Sequence, residues 1–353
     1  MQEEKSRILV SNWLFLGVVM LIVQVILGGV TRLTGSGLSI TEWDPIMGFL
    51  PPLNKSQWQH AFQQYQQIAQ FKYMNFDFTL SDFKHIFFWE WFHRLWARSI
   101  GIVFLIPFIY FIIKKRIKPW MIQPLIGLFI LGGFQGLIGW IMVKSGLNDE
   151  NLYVSHIKLA VHFVAAMVLI AYTLLFALVI RVPQTQKVTN SSLKKFTVLI
   201  IVLLFIQITY GAFMAGLKAA SAAPTWPTIN GMWLPVAFWK ESMTQNLFFN
   251  KITIHFIHRT LAYVILTMLI TWYSKAMQVT QSDWFNATKK LSIVLVIVQV
   301  LLGIAAILAS PGIVLGKFSL FEWLAEVHQI IGMLLLLLMI TNAYLLLFKN
   351  LNT

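Results

Sequence analysis

The chain contains no cysteine. Disulfides, thiolate zinc sites, iron–sulfur clusters and cysteine nucleophiles are thereby excluded. Charge is scarce as well. Only 11% of the 353 residues are charged, against about 25% in a soluble domain. Acidic residues are the scarcer sign, 13 against 27 Lys and Arg, for a net charge of +14. What is present instead is apolar: 58% hydrophobic residues and a mean hydropathy of +0.72. That is the composition of an integral membrane protein, so the positive charge is read loop by loop and is no nucleic-acid footprint. The opening "MQEEKSRILVSNW" leads into a long apolar run with no small-residue cleavage site. It reads as a retained first span, not a signal peptide.

A helical span needs about 20 mostly apolar residues. Eight stretches qualify, near 11–31, 88–113, 120–142, 154–180, 195–216, 251–273, 290–309 and 324–348. The expected fold is all-α. Basic residues gather on alternate loops: Lys5 and Arg7, then "KKRIK", then Arg181, Lys187, Lys194 and Lys195, then Lys275, Lys289 and Lys290, and finally Lys349. The positive-inside rule puts both termini in the cytoplasm. Two long loops, 32–87 and 217–250, fall on the outer side and are rich in Gly, Pro and Trp.

The chain repeats itself. Gln24 and Gln207, Gly28 and Gly211, Trp43 and Trp226, and Gly48 and Gly231 are each 183 apart. His93–Arg94 and His258–Arg259 are 165 apart, Gln135–Gln299 and Gly139–Gly303 164, His162–His328 and Met167–Met333 166. The offset changes only across the first outer loop, which is longer in the first half. Matches of His, Trp, Gln and Arg in register imply two homologous four-helix bundles, residues 1–184 and 185–353, related by pseudo-symmetry.

Four of the eight histidines obey the repeat: His93, His162, His258 and His328. Each half supplies one from its second span and one from its fourth, near the outer end. Two imidazoles facing each other across a bundle suit axial ligation of a haem iron, whereas zinc wants three or four protein ligands at one point. Packing histidines are the plain alternative. His60 and His85 fall in the outer loop, His156 at a loop end, and His255 one turn before His258.

The halves differ beside the proposed iron. Glu90 precedes His93 by three residues and shares its face; its counterpart at offset 165 is His255. A carboxylate in one half only suits an enzyme with one reactive haem and one electron-transfer haem. The alternative is that Glu90 pairs with Arg94. Arg94, Arg98 and Arg259 lie within two turns of the proposed ligands and are candidates for haem propionates, since arginine binds carboxylates in a fork. Snorkelling to headgroups is the competing account.

The stretch "GGVTRLTGSGLSITEWDPIMGFLPP", the elements "EWFHR" and "FIHRT", and the histidines of spans four and eight resemble the heme A synthase family over essentially the whole chain. The resemblance implies oxidation of the C8 methyl of heme O to a formyl group, giving heme A for terminal oxidases. It implies heme b on His258 and His328, substrate haem between His93 and His162, and Glu90 as the essential carboxylate. It also implies heme O synthase and a membrane electron donor or acceptor as partners; homo-oligomerisation is compatible with it. Some members carry a cysteine pair in the first outer loop. This chain has none and looks more like the cysteine-free branch of mitochondria and Gram-negative bacteria. Without an Arg- and Ser-rich transit sequence, the expectation is a bacterial plasma (inner) membrane, with the haem sites toward the outer side. A diheme b-type quinol-oxidising carrier explains four histidines but not Glu90 against His255. A transporter would place its polar residues near the midplane, not at the outer ends.

Overall fold

The computed structural model describes residues 2–42, 47–235, 242–313 and 318–347. Trp43 and Lys349 lie outside the described residues. Eight helices are long and apolar enough to cross a membrane: α1 (Gln2–Leu33), α4 (Leu80–Ile113), α5 (Pro119–Lys144), α6 (His156–Arg181), α7 (Ser191–Gly216), α9 (Lys251–Ala276), α10 (Asp283–Ala309) and α11 (Leu320–Leu345). Short helices α2 (Lys55–Tyr65) and α3 (Ala69–Met74) lie in the first long loop, and α8 (Met243–Phe248) in the second. The protein is an all-α integral membrane protein.

Several helices extend past the expected spans because their ends are capped. Thr79 and Asp82 close a capping box that starts α4 before its apolar stretch, and Ser319 and Glu322 do the same for α11. Such boxes satisfy amide groups that the helix itself leaves open. Asn190 and Asn250 cap α7 and α9 with their side-chain oxygens. Lys289, read from sequence as a loop cation, is buried. Its ammonium donates to the carbonyls of Ala276 at 3.1 Å and Val279 at 2.7 Å. It thus caps the end of α9, where a cation complements the helix dipole.

The packing partners recur with the repeat. In the first half α1 packs on α4 and α6, and α5 on α6; in the second, α7 packs on α9 and α11, and α10 on α11. Between halves, α6 meets α7 and α11 meets α1, so the last helix of each half meets the first of the other. Helices α6 and α11 also touch. Burial follows: 56% of the most apolar stretch of α6 is buried, against 6% in α4 and in α5. Ile102, Ile106, Phe129, Ile130 and Phe134 on those outer helices are exposed and form a lipid-facing surface.

The two chain ends share one face. Arg7 near the start of α1 reaches the carbonyl of Ile180 near the end of α6 at 3.4 Å. Val188 and Thr189, just before α7, pair in parallel with Leu346 and Leu347, just after α11. The long loops and the histidine-bearing starts of α6, α9 and α11 lie at the other end.

Candidate haem centres

Each of the four repeat-related histidines faces a glycine on the helix before it. His93 on α4 lies against Gly28 of α1, His162 on α6 against Gly139 of α5, His258 on α9 against Gly211 of α7, and His328 on α11 against Gly303 of α10. A Cβ on Gly139 would stand 2.8 Å from Cε1 of His162; one on Gly303 would stand 2.9 Å from Cε1 of His328. Carbon atoms in contact prefer about 3.5–4.0 Å. Only glycine therefore lets the rings of His162 and His328 come this close to the neighbouring helix.

The rings of His258 and His328 have centroids 6.4 Å apart. Two imidazoles on opposite sides of one metal, with metal–nitrogen bonds of about 2 Å, put their centroids roughly 6 Å apart. The spacing therefore fits a single iron between two axial histidines. All four rings are partly accessible, as groups lining a space would be. Among the described residues no cluster of three or more His, Asp or Glu could hold a metal ion. The donor set is thus two imidazoles per half, which suits a planar macrocycle carrying its own four nitrogens better than a bare cation.

Glu90 is 2% exposed and held on every side. Its Oε2 accepts from the Ser39 hydroxyl at 2.7 Å and from the Ile40 amide at 2.9 Å; its Oε1 meets Nη2 of Arg94 at 2.5 Å. Arg94 also donates to the Ile40 carbonyl at 3.3 Å. In the second half Arg259 donates to the carbonyls of Ala223 at 3.0 Å and Thr228 at 3.2 Å. Ile40 and Ala223 are themselves 183 apart. The two arginines therefore make the same contact in both halves, docking the outer loop onto the histidine-bearing helix. Their guanidinium groups are engaged by loop carbonyls, and in Arg94 by Glu90. Arg98 sits one turn further along α4 and is partly buried.

The other histidines serve differently. His255, the counterpart of Glu90, is fully buried. His156 opens α6, packs against Gly216 of α7, and its Nε2 lies 2.8 Å from the Phe248 carbonyl. It belongs to the contact between halves. His60 and His85 are exposed.

One carboxylate escaped the reading of the sequence. Glu326, two residues before His328, is 3% exposed, and neither of its oxygens has a hydrogen-bond partner. It lies on Gly29 of α1, and Arg32 is the charge that faces it. Gly29 adjoins Gly28, which touches His93, so consecutive glycines of α1 meet Glu326 of one half and His93 of the other. Its counterpart at offset 166 is Ala160, a break in the repeat that was visible in the sequence.

Eight apolar helices, with a repeat-related pair of glycine-backed histidines in each half, define a polytopic membrane protein. The chain belongs to the COX15-CtaA family of cytochrome oxidase assembly proteins, whose pattern matches residues 11–340. It is 37% identical to a heme A synthase of Flavobacterium johnsoniae over 95% of this chain and 96% of that protein. It is 38% identical to a heme A synthase of Nitrosomonas eutropha, over 85% and 86% respectively. The heme A synthase of Brucella suis is 39% identical, over 89% and 88%.

Proposed function

We propose that this chain is a heme A synthase: it takes heme O as substrate and oxidises its C8 methyl to a formyl group. The observation that carries the reading is the set of four glycine-backed histidines, two per half, with the buried carboxylate Glu90 one turn before His93 where the other half has His255. Residues 1–184 hold the substrate haem between His93 and His162. In residues 185–353, His258 and His328, with ring centroids 6.4 Å apart, would hold heme b.

With water as the oxygen source, converting the methyl to a formyl group balances as R–CH3 + H2O → R–CHO + 4 H+ + 4 e−, and an acceptor takes the four electrons; with dioxygen as the oxidant, each hydroxylation instead takes two electrons and two protons from a donor and releases water. Two successive hydroxylations give a geminal diol, which loses water to the aldehyde. The bound heme b would supply one-electron transfer. The chain's own residues do the rest. His93 and His162 orient the substrate macrocycle. Glu90 lies one turn from His93, pinned by Ser39, Ile40 and Arg94, and so presents a fixed negative charge beside the reacting half. There it stabilises positive charge developing on the substrate or passes its protons on. The loop docked by Arg94 covers the outer end and keeps bulk water away. The electron partner in the membrane is a donor or an acceptor according to the oxidant, and heme O synthase supplies the substrate.

The membrane is the bacterial plasma membrane, with both termini cytoplasmic and the haem sites toward the outer side; the basic loops support this orientation. Reporter fusions after Lys118 and Asn148 should report opposite sides.

The deciding experiment is the pigment of the purified protein. Heme b together with heme O or heme A fits the synthase; heme b alone fits an electron carrier and removes the proposal. His258→Met and His328→Met should each alter the optical spectrum while the protein still inserts. An unaltered spectrum in both would mean that these are not the ligands.

A further inference from the structure

Leu125, Leu128, Gly132, Gly136 and Gly139 follow one another along α5 at steps of three or four residues, and so share one face of the helix. Leu125 and Leu128 are buried in a core with Trp13 of α1, Phe111 of α4 and Phe176 of α6, so this face looks into the bundle. At its outer end Gly139 meets the ring of His162. Between the leucines and that ring the face is open. A Cβ on Gly132 or on Gly136 would have nothing within 4 Å, and both glycines are exposed.

The second half fills the same place. At offset 164 the counterparts of Gly132 and Gly136 are Val296 and Val300 of α10. Val296 is 2% exposed, in one core with Ile265 and Leu269 of α9 and Met333 and Leu336 of α11. Gly101 of α4 repeats the contrast. Nothing lies within 4 Å of where its Cβ would sit, whereas its counterpart at offset 165, Leu266 of α9, packs on that same core. Gly101 and Gly132 lie at one level. Phe104 of α4 stacks on Phe129 of α5 with centroids 6.2 Å apart, and each glycine is one turn outward from its phenylalanine, with Gly136 a turn nearer to His162. Helices α4 and α5 also touch far less than α9 and α10 do. The walls are apolar: neither residues 100–113 nor residues 124–143 include a charged side chain.

We infer that the space along Gly101, Gly132 and Gly136 receives the prenyl chain of the substrate and so selects heme O over heme b. The two haems differ in one substituent: heme O carries a hydroxyethylfarnesyl group where heme b has a vinyl group. A half that keeps heme b has no such chain to house, and there two valines and a leucine close the place. A half that takes heme O needs an apolar space that begins beside a ring-binding histidine and runs into the bilayer. Protein interiors are close-packed, so an unfilled space of this kind in one half calls for an occupant. A lipid acyl chain has the same chemistry, but it gives no reason for the halves to differ. The inference rests on the heme A synthase reading above.

The test uses full-length protein purified with its resident b-type haem and titrated separately with heme O and with heme b. The first half of the unaltered protein should bind heme O the more tightly. Gly132→Val and Gly101→Leu, which copy the second half, should weaken heme O by about tenfold or more, the scale on which an apolar pocket senses a methylene group. They should leave heme b binding in that half, and the spectrum of the resident haem, unchanged. Gly132→Ala should fall between. Gly133→Ile should change nothing, because Gly133 lies on the lipid side with the exposed Ile130 and Leu137, and its counterpart Ile297 is exposed as well. Heme O bound as tightly by Gly132→Val as by the unaltered protein would overturn the proposal. So would a parallel loss of heme b, which would mean a collapsed site, or equal binding of both haems by the unaltered protein, which would assign the space to lipid. If Gly132→Val does not retain its resident haem, Gly132→Ala decides by the same criteria. If the unaltered protein takes neither haem in its first half, the functional reading falls and this one with it. If it takes heme O and the variants match it, only the chain pocket falls.

Discussion

Arg94 and Glu90 form an ion pair 2.5 Å long inside the outer end of α4, with Glu90 side-chain exposure at 3% and Arg94 at 21%. Exposed pairs contribute about 0–1 kcal/mol, but that scale does not apply to a carboxylate so deeply buried. Removing one partner here leaves a charge without its counterpart. Glu90 also anchors Ser39 and Ile40, so the same carboxylate that lies one turn from His93 holds the outer loop against α4.

Glu90→Gln separates the two roles. The amide keeps the size and an acceptor for the loop, and loses the charge. The variant should lose about 1–3 kcal/mol, the range for hydrogen bonds to charged groups. It should insert, keep heme b, fail to make heme A, and accumulate heme O or a hydroxylated intermediate. Ser39→Ala removes one hydrogen bond and should cost about 1 kcal/mol with heme A still formed. Chromatography of extracted haems checks both. Near-normal heme A from Glu90→Gln would leave the carboxylate a purely structural part.

The docking arginines make a second prediction. Arg259→Ala should free the carbonyls of Ala223 and Thr228 and expose residues 217–235 to protease added from the outer side. Arg94→Ala should free Ile40 likewise, and cost more stability, because it also strips Glu90 of its counter-charge. Cleavage rates in oriented vesicles measure both effects. Equal resistance to that of the unaltered protein would show that the loops are held by other contacts.

The eight spans, the repeat and the four histidines were legible in the sequence, because apolar runs are long and because His, Gln and Arg matched in register carry information that Leu does not. The histidine–glycine contacts were half legible: Gly28 and Gly211 were seen to repeat, but only the helix pairing puts each against a ring. The grip on Glu90 was not legible. It depends on how residues 34–40 turn back over α4, and no periodic pattern encodes a turn of that kind. The engagement of Arg94 and Arg259 by carbonyls 40 and 223 was hidden for the same reason, since backbone acceptors leave no mark on composition. Glu326 stands in the sequence as an acid within an apolar run, but its contact with Gly29 of α1 joins the two halves, and no local pattern marks such a contact.

Tyr65, in the loop that carries α2 and α3, gives a pH prediction. It is fully buried, donates to Gln70 at 3.0 Å and accepts from Asn75 at 2.7 Å. Burial pushes its pKa from 10.0 up to about 12. The folded state thus keeps its proton where the unfolded chain has lost it. Stability from this group is full below pH 10 and is lost as pH rises toward 12. Tyr65→Phe should flatten that alkaline loss and cost about 1–2 kcal/mol at neutral pH through the two hydrogen bonds. Thermal unfolding across pH 8 to 12 measures it; an equally steep loss in the variant would place the alkaline transition elsewhere.

Glycines make the last prediction, because their surroundings differ along one helix type. Gly133 of α5 has nothing within 4 Å of where a Cβ would sit. Alanine there should stabilise the helix by up to about 1 kcal/mol through propensity alone. At Gly303 the same methyl would meet the His328 ring at 2.9 Å, with Nδ1 at 3.5 Å. The ring must move by several tenths of an ångström, away from α10 and so out of the position in which it faces His258 at 6.4 Å. Gly303→Ala should therefore leave insertion and helix content intact and still weaken retention of the b-type haem, with a changed optical spectrum. Gly139→Ala should do the same to substrate haem at His162, where the methyl would lie 2.8 Å from Cε1. Gly133→Ala is the control in the same membrane and the same purification. If Gly303→Ala binds haem as tightly as Gly133→Ala, the ring has room to spare, and the glycine is not what lets His328 lie where it does.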